Sequence, residues 1–97
     1  MMERFSKKAI LAHLKKVPDW KLSSHGRSIY LKIRTKNFVA AVKLISEIAR
    51  LAEKIDHHPD IHLTRYRHLR IQVSTHAIGD LSKKDFILAT KISQLLN

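Results

Sequence analysis

Ninety-seven residues with 44% apolar content suit one compact globular domain, residues 1–97, with room for a single core and none for a separate nucleotide-binding domain. The absence of cysteine excludes disulfides, thiolate metal sites and cysteine nucleophiles. Nineteen Lys and Arg against eight Asp and Glu give a net charge of +11, so some attraction of polyanions is expected, while charge alone says nothing of fold or chemistry.

The excess charge is uneven: residues 1–46 carry eleven basic and two acidic side chains, and residues 47–97 carry eight and six. No apolar run approaches the length of a membrane span, and the first residues lack the apolar block of a secretory signal. A cytoplasmic protein without membrane contact is the expectation. Self-association is expected too, because a domain this small gains from burying more surface.

Ser6 suits the cap of a first helix with an apolar stripe of Ala9, Ile10, Leu11 and Leu14, and Pro18-Asp19 stops it. Trp20 and Leu22 share one face of a short strand, and Ser24-His25-Gly26 supplies a turn. Ile29, Leu31 and Ile33 alternate with Tyr30, Lys32 and Arg34, the pattern of a strand with one wet face.

Thr35 through Ile55 is the strongest helical segment. Phe38, Ala41, Val42, Ile45, Ile48, Ala49, Ala52 and Ile55 recur at helical spacing, and Pro59 is the expected terminator. Ile61 and Leu63 begin a further strand, and Leu69, Ile71, Val73 and Thr75 alternate in the next. Arg65-Tyr66-Arg67 joins the two without a glycine, which leaves the turn type open. Ser82 with Asp85 three residues on reads as a capping box, opening a last helix that buries Phe86, Ala89, Ile92 and Leu96.

The order α-β-β-α-β-β-α predicts an α+β two-layer sandwich, a four-stranded antiparallel sheet with helices on one face. The sheet edges then require a partner or charged protection, and a dimer built through strands would supply it.

Seven histidines are many for this length. His57 and His58 stand where the long helix meets Pro59, and His76 follows Ser74-Thr75 at the end of the last strand. Two backbone elements can therefore bring imidazoles together, and imidazole exchanges protons readily near neutral pH. Glu53, four residues before His57, shares its helical face if the helix persists that far, and a carboxylate there can orient a ring. Adjacent histidines at a helix end can equally cap carbonyls. A metal site of His57, His58, His62 and His76 is a further reading, but Pro59 breaks the His58–His62 spacing and no zinc motif is matched. His13, His25, His62 and His68 read as surface residues.

Glu53-x3-His57-His58-Pro59, six residues, Tyr66, nine residues, His76, eight residues, Asp85 resembles the signature of the pterin-4a-carbinolamine dehydratases. The stretches LAEKIDHHPDI and STHAIGDLSKKDFILATKI agree with it, as do Trp20 and Gly26-Arg27 upstream. The resemblance implies the fold derived above, a homodimer or homotetramer, and no metal or organic cofactor. It implies dehydration of a 4a-hydroxytetrahydropterin to the quinonoid dihydropterin, in pterin recycling. It implies His57 and His76 as the acid–base pair, His58 positioning the pterin and Glu53 orienting a histidine. Trp20, Thr75 and Asp85 are the implied substrate-binding residues, although Trp20 suits the core equally well. Departures fall at Lys84, at Gly79-Asp80 and at Ile61, all near the site's loops, and bear on substrate preference more than on reaction type.

A different class of function competes with this one. Animal members of the family also serve as dimerisation cofactors, and Arg65-Tyr66-Arg67-His68-Leu69-Arg70 has the residues to hold nucleic-acid phosphates. As a binding module the chain would act without catalysis; any nucleic-acid binding is expected to be weak and nonspecific.

Overall fold

The structure, a computed structural model, describes residues 4–96. Among these residues the order is α1 (Lys7–Leu14), β1 (Lys21–Leu22), β2 (Ile29–Arg34), α2 (Phe38–Ile55), β3 (Asp60–Thr64), β4 (His68–Val73), a short 3-10 turn (His76–Ile78) and α3 (Lys83–Leu96). The four strands form one antiparallel sheet in the order β1-β2-β4-β3, the α+β architecture expected from the sequence.

β2 and β4 take the centre because each offers one fully apolar side. Ile29 pairs with Val73, Leu31 with Ile71 and Ile33 with Leu69, and five of these six side chains are buried under the helices. Side chains alternate across a strand, so the same register sends Tyr30, Lys32, Arg34, His68, Arg70 and Gln72 to the opposite face. Ile48 of α2 and Phe86, Leu88, Ala89 and Ile92 of α3 close the core from the helical side. Trp20 lies in this core, 3% exposed, with its indole N–H donated to Ser93 Oγ at 3.0 Å.

Several local expectations shift. α2 starts at Phe38, not Thr35, because the Asn37 side chain caps it by accepting from the Ala40 N–H at 2.8 Å. It ends at Ile55, ahead of any influence of Pro59, because Asp56 adopts the left-handed conformation (φ 52°, ψ 47°). The Asp56 N–H then reaches Glu53 O (3.3 Å) and the His57 N–H reaches Ala52 O (3.0 Å), which is a Schellman closure. β4 stops at Val73, so His76 opens the 3-10 turn and does not close a strand. The β3–β4 connection turns through two successive left-handed residues, Arg65 (φ 48°) and Tyr66 (φ 57°), without a glycine.

The apolar stripe of α2 is wider than the sheet and α3 can cover. Ala41, Ile48 and Ala52 are buried, whereas Phe38, Val39 and Val42 face outward. Leu11 of α1 is likewise exposed. No helix among the described residues is long and apolar enough to cross a membrane.

Candidate active site

The closure at the end of α2 sends two adjacent histidines in different directions. With its backbone N–H tied to Ala52, His57 swings inward until 10% of its side chain remains exposed. There its Nε2 meets Oδ1 of Asp85 at 2.6 Å, and Asp85, in the first turn of α3, is fully buried.

A buried carboxylate is tolerated only when its lone pairs are met by donors. Thr75 Oγ1 donates to Asp85 Oδ2 at 2.8 Å, and the Ser82 backbone N–H donates to the same oxygen at 2.9 Å. The Thr75 hydroxyl proton is thereby committed, so the 2.6 Å contact between Thr75 and Ser82 hydroxyls is donated by Ser82. Asp85 reaching back to the Ser82 N–H is one half of the capping box read from the sequence. Thr75 is fixed from behind, its N–H donating to Asp80 O at 2.9 Å.

His57 has two ring nitrogens and Asp85 engages one. Among the described residues every fully buried side-chain nitrogen or oxygen has a partner, and Nδ1 of His57 has none, so Nδ1 is the ring atom that reaches solvent. The carboxylate accepts the proton on Nε2, which leaves the Nδ1 lone pair facing outward in the neutral ring.

Glu53 engages His58 and not His57. The helical spacing that would align Glu53 with His57 is cut off after Ile55, and the carboxylate meets Nε2 of His58 across an exposed surface. His76 is exposed and directly follows Thr75. Asp85 therefore fastens two chain segments to α3, the one that ends in His57-His58 and the one that leads into His76.

Of the residues expected to contact substrate, Trp20 is in the core, and Thr75 and Asp85 are 2% and 0% exposed. Their side chains support the histidines from within. Sequence reasoning missed Ser82 as a partner of Thr75 and Asp56 as the hinge that parts His57 from His58. Only the capping-box spacing of Ser82 and Asp85 hinted at the first. Among the described residues no three His, Asp or Glu side chains are grouped to hold a metal ion.

Residues 3–95 match the family model described as pterin 4 alpha carbinolamine dehydratase, and the chain belongs to that family. A Chloroflexus aggregans protein, provisionally named pterin-4-alpha-carbinolamine dehydratase, is 42% identical over 95 residues, 98% of this chain and 99% of that one. Pterin-4-alpha-carbinolamine dehydratase 2 of Arabidopsis thaliana, named as mitochondrial, is 39% identical over 84% of this chain and 45% of its own length. A crystal structure from Brucella melitensis, titled a transcriptional coactivator/pterin dehydratase, superposes with a TM-score of 0.90 over 98% of this chain and 100% of that one. At 24% identity that likeness concerns the fold.

Proposed function

We propose that this protein dehydrates a 4a-hydroxytetrahydropterin to the quinonoid dihydropterin in pterin recycling, with His57 and His76 as its base and acid. The observation that carries the reading is the hydrogen-bonded unit His57–Asp85–Thr75, which orients one imidazole and ends one residue before a second.

The reaction has two proton movements. The proton on N5 must leave, and the hydroxyl on C4a must depart as water, while the C4a–O bond breaks and a C4a=N5 bond forms. Nδ1 of His57 accepts the N5 proton, and the Asp85 carboxylate balances the positive charge that develops on the ring. His76, exposed and free to take up a proton from solvent, delivers one to the departing hydroxyl. On reset His57 releases its proton to solvent and His76 takes one up, so the protons balance. Because loss of water changes no oxidation state, no external reductant or oxidant is consumed. His58, held by Glu53, positions the pterin. Thr75 and Ser82 act through Asp85, and Trp20 acts through the core beneath the first strand.

The test is stopped-flow decay of a synthetic 4a-hydroxytetrahydropterin with and without the protein. Acceleration that persists in excess chelator supports the reading. Decay at the uncatalysed rate would refute it.

A further inference from the structure

The helices cover one face of the sheet; the other is bare and basic. Its cross-strand register sets two rows, Lys32–Arg70–His62 and Arg34–His68–Thr64. Together with Arg65 at the hairpin these side chains line a groove of about 730 Å³. Neighbouring strands lie about 4.8 Å apart, so each row is roughly 10 Å wide. None of these residues belongs to the histidine–aspartate unit described above.

The arrangement opposes itself. Lys32 stands directly across from Arg70, and like charges in that relation destabilise a sheet. Among the described residues the ion pairs are His57–Asp85 and His58–Glu53, so no carboxylate neutralises the cations of this groove. Of the acidic residues near this face, Asp60 is paired further along with Gln72, and Asp19 lines a separate pocket beside Lys21, Tyr30 and Lys32 without forming an ion pair with Lys32. Arg70 turns partly aside, its guanidinium 4.1 Å from the Tyr30 ring centroid. At the open end, Arg65 and Tyr66 both sit in the left-handed region that β-turns ordinarily reserve for glycine, asparagine or aspartate. That costly geometry displays Tyr66, 60% exposed, with the Arg67 guanidinium beside its ring.

We propose that this face binds single-stranded nucleic acid, the two basic rows taking the phosphates and Tyr66 stacking an unpaired base. A polyanion removes the repulsion between the rows, and releasing its counterions drives association. A single strand is favoured over a duplex because an exposed aromatic ring at the end of a basic groove can stack only on a base that is not already stacked in a helix. Binding by charge and stacking is tolerant of sequence.

The experiment is fluorescence anisotropy of a labelled mixed-sequence single strand of about 20 nucleotides, titrated with full-length protein at several salt concentrations. Two triple variants, each removing three charges, are compared: K32Q/R34Q/R70Q on the sheet face and K7Q/K8Q/K15Q on α1. All six positions are polar and none is fully buried, so folding is retained. The sheet-face variant should bind at least tenfold more weakly and lower the slope of log K against log salt by about 2, at about 0.7 per lost phosphate contact. The α1 variant should change affinity less than threefold. Tyr66→Ala should weaken the single strand about five- to a hundredfold and leave a duplex of the same sequence unaffected. Equal loss in both triple variants would reduce the effect to net charge and overturn the proposal. So would absence of binding at low salt, or a duplex that binds as tightly as the single strand.

Discussion

Nε2 of His57 and Oδ1 of Asp85 lie 2.6 Å apart, although 28 residues separate them and neither is on a strand. The contact joins the end of α2 to the first turn of α3. It holds one imidazole in one tautomer with its free nitrogen outward, the arrangement a proton-accepting residue requires.

Replacing Asp85 with asparagine keeps the volume and removes the charge. An amide can offer its N–H to His57 and reverse the tautomer, so turnover should fall by about 10²-fold or more with little change in KM. Steady-state kinetics beside a thermal melt will separate this from unfolding. An unchanged kcat would show that Asp85 has no part in orienting His57.

His57→Ala and His76→Ala should each lower turnover by about 10²–10⁴-fold, the scale of a lost general acid or base. His58→Ala should act mainly on KM. Wild-type activity in the His57/His76 double alanine variant would rule out the acid–base assignment.

Thr75→Val leaves the shape of the side chain and deletes the hydroxyl shared by Asp85 and Ser82. Asp85 Oδ2 retains only the Ser82 N–H among its two donors, so stability should drop by about 1–3 kcal/mol in urea titration. No loss of stability would mean that water replaces the hydroxyl without cost.

Asp56 carries the left-handed turn that ends α2. Asp56→Gly removes the steric cost of that conformation and should stabilise the protein by up to about 1 kcal/mol, whereas Asp56→Val should destabilise it by more. Thermal melts of the two variants should move in opposite directions, with activity following the second downward.

Two surfaces are suited to self-association. β3 pairs only with β4 among the described residues, which leaves its outer edge open, and Phe38, Val39 and Val42 form an exposed apolar flank on α2. Light scattering at micromolar concentration should show a dimer or tetramer. Val39→Glu should reduce its size if α2 is the contact, and Leu63→Pro should do so if the β3 edge is; a monomeric wild type would exclude both.

The order of elements was legible in the chain because apolar period specifies each segment's type. Period two at Ile29–Ile33 and at Leu69–Val73 and period 3.6 through Ile55 follow from local geometry, and four strands with amphipathic helices leave few ways to bury one core. The histidine spacing likewise marked the family, a property of the linear text. Partnerships were another matter. That Glu53 would meet His58 and that Asp85 would hold His57 from inside depended on a single residue, Asp56, leaving the helix in a left-handed turn. Trp20 was fixed in the core by a bond to Ser93, 73 positions away. An aspartate can sit in a helix or outside it with little difference in local energy, so only the packing of α2 and α3 against the sheet selects which. The basic rows on the open face arose the same way: Lys32 and Arg70 are 38 positions apart in the chain, and strand register alone makes them neighbours.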